Sequence, residues 1–151
     1  MRTIDKIPVN HQLLEDINYI TPEQPVAFYK AELHFHQTDK IPWHWHPALQ
    51  MILIKEGPVR CHVGEENFIL NNGDGVLINM NQLHRYYPLG KNEEQTGEKQ
   101  GNKKREPKRE MEKSDRPNVV KALNIVFLPE FIAAPSSLAY KKYVEPLMMN
   151  A

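Results

Sequence analysis

The stretch IPWHWHPALQMILIKEGPV, residues 41–59, decides the fold and also raises the question of function. Two histidines stand one residue apart in it, and an apolar run leads from them to a glycine-proline break. The run LQMILIK, residues 49–55, is rich in strand-forming residues and apolar on both faces, as a buried strand would be. Residues i and i+2 of a strand point to one face, so His44 and His46 are expected to project together.

Short strand-like segments separated by turn residues continue on both sides of this stretch. In the segment VRCHV, apolar and polar residues alternate with the period of a half-buried strand. The pattern predicts strands at 26–36, 49–55, 59–63, 67–70, 76–79, 83–87 and 119–128. Short strands at close spacing, joined by glycine and asparagine turns, predict an all-β sandwich or barrel.

The length of 151 residues predicts one domain with flanking segments. Residues 1–25 are interpreted as an N-terminal arm and residues 26–135 as the barrel. Residues 136–151 are interpreted as a short C-terminal helix or a linker. The helix is predicted over 138–144, with its end near Pro146.

Within the barrel, residues 91–118 form a charged segment of different composition. It contains nine Lys or Arg, seven Asp or Glu, and Met111 as its only large apolar residue. Such a segment cannot bury enough apolar surface to offset the entropy of ordering it. We interpret it as a disordered loop insertion between two strands, and its interleaved charges argue against nucleic-acid binding.

Composition excludes several classes of protein. The formal net charge is zero, so the chain is not a polyanion binder on charge alone. Cys61 is the single cysteine, which excludes an internal disulfide and a cysteine-rich zinc site. The N-terminus has no apolar leader, and no run approaches the roughly 20 apolar residues of a membrane span. We therefore expect a cytoplasmic protein that does not span a membrane.

The histidine pair has two chemical interpretations. Neutral imidazoles bind divalent metals such as Zn, Ni, Fe or Mn, and His84 on a later strand is the best candidate for a third ligand. Gln50 shares the face of His44 and His46 but supplies only a neutral amide oxygen, a weak ligand. Alternatively, the same side chains line a polar cup that binds no metal.

Three further residues are candidates for ligand binding. Arg60 and His62 face the same way on their strand and could meet an anionic or hydroxylated ligand. Trp43 could stack on a sugar ring, although packing into the protein is the commoner role of a tryptophan.

The spacing of these residues resembles the two sequence motifs of the cupin superfamily. The first motif, HxH, three residues, Glu, six residues and Gly, is matched by residues 44–57, and the second by residues 73–88. Four positions depart from the motifs: Gln50 stands for Glu, Asn79 for Pro, Asn81 for Gly and Pro88 for Asn. The resemblance implies a cupin-type double-stranded β-helix, a jelly-roll barrel, in which a neutral amide replaces the usual anionic metal ligand.

Within the superfamily, the chain resembles the N-terminal effector-sensing domains of AraC-type transcription regulators. The resemblance rests on HWHPALQMILIKEG, the NGDG turn, His84 and, after the charged segment, ALNIVFLPEFIAAPSSLAYKKYVEPLM at 122–148. It implies a domain that binds a small effector, often a sugar, that can form a homodimer and that is not an enzyme. DNA binding would need a helix-turn-helix pair, and the sequence shows no such pattern.

Two other functions fit the same residues. A stand-alone metal cupin enzyme, of dioxygenase or isomerase type, would use His44, His46 and His84 as metal ligands with Gln50 as a weak fourth. A structural or dimerisation module would have a cup filled by its own side chains. The missing carboxylate and the tail pattern favour the effector-sensing interpretation.

Overall fold

The computed structural model describes residues 1–4, 6–34, 41–90 and 119–149. The strands are β1 (Arg2–Ile4), β2 (Val26–His34), β3 (Leu49–Glu56), β4 (Val59–Val63), β5 (Glu66–Leu70), β6 (Gly75–Ile78), β7 (His84–Pro88) and β8 (Val119–Phe127). The prediction of an all-β fold is confirmed. From β3 to β8, each observed strand end lies within one residue of its predicted position.

The strands form two sheets that face each other. The larger sheet has the order β1-β2-β8-β3-β6, and the smaller has the order β5-β4-β7. From β3 the chain passes to the small sheet for β4 and β5, returns for β6, crosses for β7 and returns for β8. This repeated crossing between two sheets, in which the strands from β2 to β8 pair antiparallel, gives the predicted jelly-roll arrangement.

The period-two alternation of the strands decides which side chains enter the space between the sheets. In β4, Val59 and Cys61 are buried, whereas Arg60 and His62 point to the outer face. In β3, Ile52 is likewise part of the core. The buried apolar residues form two clusters, a large one and a small one, and a group of buried polar residues accompanies them.

The N-terminal arm contains a strand that the sequence analysis does not predict. β1 pairs in parallel with β2, with Arg2 opposite Tyr29 and Ile4 opposite Ala31. Short apolar segments of three residues carry too little periodicity to be distinguished from a loop, so only the pairing reveals this strand.

The predicted short C-terminal helix is present, but its predicted end near Pro146 is wrong. A π-helical turn, Tyr140–Val144, continues directly into α1, Glu145–Met149. Pro146 therefore lies inside a continuous helical segment and directly follows the π-helical turn, an irregularity of the hydrogen-bond ladder. Of the helices in the described residues, none has the length and apolar character of a membrane span.

Two sequence-based expectations concern residues that the structure does not describe. The charged insertion at 91–118 and the end of the first predicted strand at 35–36 both lie outside the described ranges.

Candidate functional site

The structure brings His44, His46 and His84 together between the two sheets. His44 and His84 are joined by paired backbone hydrogen bonds, with N···O distances of 3.0 and 2.8 Å. All three histidines are buried, and their candidate ligand nitrogens lie within 4.8 Å of one another. This grouping follows from the HxH spacing, which directs two rings to one face, and from the antiparallel approach of β7.

Backbone carbonyls fix the orientation of the three imidazole rings. The Nδ1 atoms of His44, His46 and His84 lie 2.8, 3.1 and 2.7 Å from the carbonyl oxygens of Pro42, Ala48 and Gln82, respectively. A carbonyl oxygen only accepts, so each neutral ring carries its proton on Nδ1 and turns the Nε2 lone pair inward. Metal-binding histidines usually have this arrangement, since the outer hydrogen bond sets the tautomer.

Burial keeps these imidazoles neutral. Desolvation is the main cause that lowers the pKa of His44 to about 4 and that of His84 to about 2. It also lowers the pKa of His46. The neutral form is the one that binds a metal or accepts a hydrogen bond from a ligand hydroxyl. The three residues therefore fit both a divalent cation and a hydroxylated ligand.

Gln50 lies at the centre of the histidine cluster. Its Oε1 is 3.1 Å from His46 Nε2 and 2.7 Å from His84 Nε2. Its amide Nε2 donates to Asn124 Oδ1 over 3.0 Å. Gln50 is buried, and the bond to Asn124 satisfies its amide nitrogen, whereas its Oε1 faces the lone pairs of two neutral imidazoles.

Asn124 and Tyr86 extend the polar cluster across the two sheets. Asn124 Nδ2 donates to the Tyr86 hydroxyl over 2.9 Å, and both residues are buried. The sequence analysis did not identify Asn124. A signal was present, because in β8 the buried positions alternate and Asn124 occupies the same parity as Ala122 and Val126. A polar residue at an inward position of a core strand is a candidate for a site.

Glu15 is the second residue that the sequence analysis missed. It belongs to the N-terminal arm and is buried, with Oε2 3.6 Å from His44 Nε2 and 3.9 Å from His46 Nε2. Desolvation raises the pKa of Glu15 to about 7, while the pKa of His44 is lowered. These opposite shifts disfavour a charged Glu15–His44 pair at neutral pH, although the distance is that of an ion pair. No sequence motif links Glu15 to the histidines.

Arg60, His62 and Trp43 lie elsewhere, on the outer face of the small sheet. The ring centroids of Trp43 and His62 are 5.5 Å apart, and the Arg85 guanidinium lies 4.9 Å from the centroid of the Trp43 ring. Arg60 Nη1 donates to Asn67 Oδ1 over 3.1 Å. Arg60 and His62 lie on this face because successive residues of β4 point to opposite sides of the sheet and Cys61, between them, points inward.

Comparison with known proteins gives one family match. Residues 25–96 match the family described as the AraC-like ligand binding domain. The matched range contains His44, His46, Gln50 and His84. Over 76 residues it is 36% identical to the uncharacterized HTH-type transcriptional regulator YdeC of Bacillus subtilis, covering 50% of this chain and 26% of that regulator.

Two solved structures are also similar to the chain. A cupin 2 conserved barrel domain protein from Rhodopseudomonas palustris is 15% identical, with a TM-score of 0.44, over 73% of this chain and 57% of the other. An HTH_3 family transcriptional regulator from Vibrio cholerae is 14% identical, with a TM-score of 0.48, over 75% of this chain and 48% of the other.

A small cavity lies against the N-terminal arm, next to Glu15. Its volume is about 170 Å³, and Glu15 contributes to its wall. The polar and charged side chains that line it include those of Arg2, Lys6, Asn18 and Tyr29. Glu15 thus belongs to the wall of this cavity and also approaches His44 and His46. The volume is below the roughly 300 Å³ at which typical pockets for drug-sized ligands begin, so the cavity suits a smaller ligand.

Proposed function

We propose that this chain is the effector-sensing part of an AraC-type transcription regulator and is not an enzyme. The observation that carries the proposal is a buried cluster of polar side chains inside a domain that matches a ligand-binding family. Soluble domains rarely place three histidines, a glutamine, an asparagine and a carboxyl group in one core without a use for them. The similarity to a transcriptional regulator supports regulation as that use.

The chemistry of the cluster favours a small hydroxylated effector, such as a sugar or a sugar derivative. Imidazole Nε2 atoms accept hydrogen bonds, and the amides of Gln50 and Asn124 can both donate and accept. Hydroxyl groups match this mixture, because each one can donate and accept as well. The cavity of about 170 Å³ that Glu15 helps to line would suit a small molecule.

The same histidines supply the ligands for a divalent metal such as Zn, Ni, Fe or Mn. Bound in the cluster, such an ion would act as a Lewis acid toward an effector oxygen. His44, His46 and His84 would hold it through their inward Nε2 atoms, because each Nδ1 is already occupied by a backbone carbonyl.

For the complete regulator we propose a cytoplasmic homodimer that binds DNA through helix-turn-helix units. Exposed apolar side chains on the outer face of the large sheet support self-association. Met51 and Leu77 are paired neighbours on β3 and β6 and are 49% and 47% exposed, with Leu53 nearby at 39%. Sedimentation equilibrium of the chain, with and without effector, tests the dimer.

A ligand screen tests the sensing function. The melting temperature of the chain is measured against a panel of pentoses, hexoses, polyols and sugar acids at millimolar concentration. A bound effector is expected to stabilise the fold by about 2.7 kcal/mol at a concentration of 100 Kd. The response should saturate, and the protein should return the compound unchanged after long incubation.

Two asparagine substitutions locate the binding site. Asn124→Ala removes a buried amide of the cluster, whereas Asn67→Ala removes an exposed amide on the small sheet. We expect only Asn124→Ala to abolish the thermal response, measured relative to its own unliganded melting temperature. The proposal would be contradicted if no compound of the panel stabilised the protein. It would also be contradicted if the protein consumed the compound that stabilises it.

A further inference from the structure

The N-terminal arm is hydrogen-bonded along the stretch that contains the histidine pair. Trp45 N donates to Leu13 O over 2.9 Å, and Glu15 N donates to Trp45 O over 3.0 Å. In addition, Trp45 Nε1 donates to the carbonyl oxygen of Gln12 over 2.9 Å. Three hydrogen bonds thus fix the arm at Glu15 and just before it, and the Glu15 carboxyl group lies toward His44 and His46.

The contact between Glu15 and His44 is incomplete as it stands. His44 Nδ1 faces the carbonyl oxygen of Pro42, so the Nε2 atom carries a lone pair. Among the described residues, this buried Nε2 has no hydrogen-bond partner. The Glu15 carboxyl lies close to it, but Oε2 at 3.6 Å is beyond hydrogen-bond distance. With Glu15 ionised, two electron-pair donors face each other in a buried space, which is costly unless a cation or a proton lies between them.

We propose that Glu15 is the anionic ligand of a divalent-cation site completed by His44, His46 and His84. Donor atoms that share one ion lie about 3–3.5 Å apart, because each is roughly 2.0–2.2 Å from the metal. The separations of 3.6 and 3.9 Å between Glu15 Oε2 and the two nearer Nε2 atoms are close to that value. The carboxylate that the strand motif lacks at Gln50 is thus supplied by a different part of the chain.

The donor set determines the class of ion. Three imidazoles and one carboxylate suit borderline transition metals such as Zn²⁺, Co²⁺, Ni²⁺ and Fe²⁺ better than Mg²⁺ or Ca²⁺, which prefer oxygen ligands. One carboxylate partly neutralises the dication, and Gln50 adds no charge. Its amide oxygen lies beside His46 and His84 as an additional neutral donor.

A cation-free arrangement competes with this proposal. If the Gln50 amide turned by 180°, its nitrogen would donate to the lone pairs of His46 and His84, and Asn124 could turn with it. The hydrogen bonds of those two rings would then be complete without an ion. The flipped Gln50 amide leaves the His44–Glu15 contact unchanged. A substitution of Glu15, rather than of Gln50, therefore tests for the cation-bound state.

Zinc titration of the chain tests the role of Glu15. The protein, stripped with EDTA and exchanged into chelator-free buffer, is titrated with Zn²⁺ by calorimetry against a competing chelator at pH 7.5. We expect one ion per chain for the wild type. Glu15→Gln keeps the size of the side chain but removes its charge, and it should weaken binding at least tenfold, about the least that loss of an outer-shell partner causes. Asp16→Asn, an exposed neighbour, should leave binding unchanged.

Other outcomes would overturn the assignment. Equal affinities of the wild type and Glu15→Gln would show a site made by histidines alone, and equal losses in both variants would show a long-range charge effect. A wild type that binds no Zn²⁺, together with a Gln50→Glu variant that does, would establish the cation-free arrangement. The visible spectrum of bound Co²⁺ gives a second readout, because loss of a ligand shifts its bands. Urea unfolding of each variant verifies that it is folded. The zinc measurements are made without any effector, so their outcome is independent of the proposed sensing function.

Discussion

His84 and His62 occupy the two faces of the same small sheet and have opposite surroundings. His84 is fully buried between the sheets and lies against other imidazoles, with its ring centroid 4.1 Å from that of His44. His62 lies on the outer face, stacked on Tyr87 at a centroid distance of 5.7 Å. The residue type is the same, and only the parity of the strand position differs. The comparison shows that alternation along a strand, and not composition, decides which histidines can act as a site.

The two faces also differ in their electrostatics. For His84, burial is the main cause of a pKa lowered to about 2. For His62, weaker burial lowers the pKa first, and the positive charges of Arg85 and Arg60 lower it further. A cation in the interior would meet neutral lone pairs, whereas one at the outer face would meet guanidinium groups. The outer face is therefore suited to negatively charged or aromatic partners.

Acidification should produce the largest difference between the faces. The interior imidazoles have pKa values below about 6.5, so they take up protons when the chain unfolds. Their contribution to stability is complete above pH 6.5 and is lost as the pH falls toward 4. Glu15 acts in the opposite direction, because its raised pKa makes its contribution complete below pH 4.5 and lost as the pH rises through about 7. Three imidazoles outweigh one carboxyl group, so we expect the free energy of unfolding to fall on acidification. His44 alone should account for about 3 kcal/mol of that fall.

Urea unfolding in EDTA at pH 7, 6, 5 and 4 measures this loss. The His62→Gln variant should lose as much stability on acidification as the wild type, because His62 is only partly buried. The His44→Gln variant should lose less. A free energy of unfolding that stays constant from pH 7 to 4 would show that the interior histidines titrate normally.

Truncation of the two histidines should give the next largest difference. His84→Ala removes a buried ring and its contacts with the Gln82 carbonyl and Gln50, and should cost about 2–4 kcal/mol. His62→Ala should cost less than about 1 kcal/mol, since the ring is partly solvated and its contact with Tyr87 is 3.3 Å long. Both values come from urea unfolding at pH 7.5 in EDTA. Equal costs would mean that burial does not distinguish the two positions.

Two neighbouring tyrosines allow the most closely matched comparison, and the expected effect is the smallest of the three. Tyr86→Phe removes a buried hydroxyl and leaves Asn124 without one of its partners, for a loss of about 1–3 kcal/mol. Tyr87→Phe removes a hydroxyl on the outer face and should change stability by no more than about 0.5 kcal/mol. The same unfolding measurement distinguishes them. A larger effect for Tyr87→Phe would reverse the assignment of the faces.

The sequence predicts those parts of the structure that depend on local periodicity. Alternation and turn residues located seven strands, and the HxH spacing together with His84 indicated three residues that the structure brings together. Parity also accounts for the outward direction of His62. These features are encoded within a few residues of one another, which is why a single sequence reveals them.

The parts of the fold and of the candidate site that the sequence does not predict depend on contacts between distant segments. Glu15 reaches the histidines only because the arm pairs with Trp45, and neither residue carries a recognisable pairing signal. Asn124 was detectable in principle as a polar residue at an inward strand position, but its partners were not. The helix extends past Pro146, and a π-helical turn directly before the proline interrupts the regular ladder of hydrogen bonds that its nitrogen cannot join.

The buried polar cluster draws on the whole length of the described chain, and this has a consequence for folding kinetics. Gln50 and Asn124 are 74 residues apart, and Gln50 and His84 are 34 apart. Contacts over such separations carry a high cost in loop-closure entropy, so they form after local hairpins such as β4–β5. No fragment lacking either β8 or the N-terminal arm contains the full set of residues. Completion of the cluster is therefore expected to coincide with the last cooperative step of folding, and a probe at this position would report the native state rather than any intermediate.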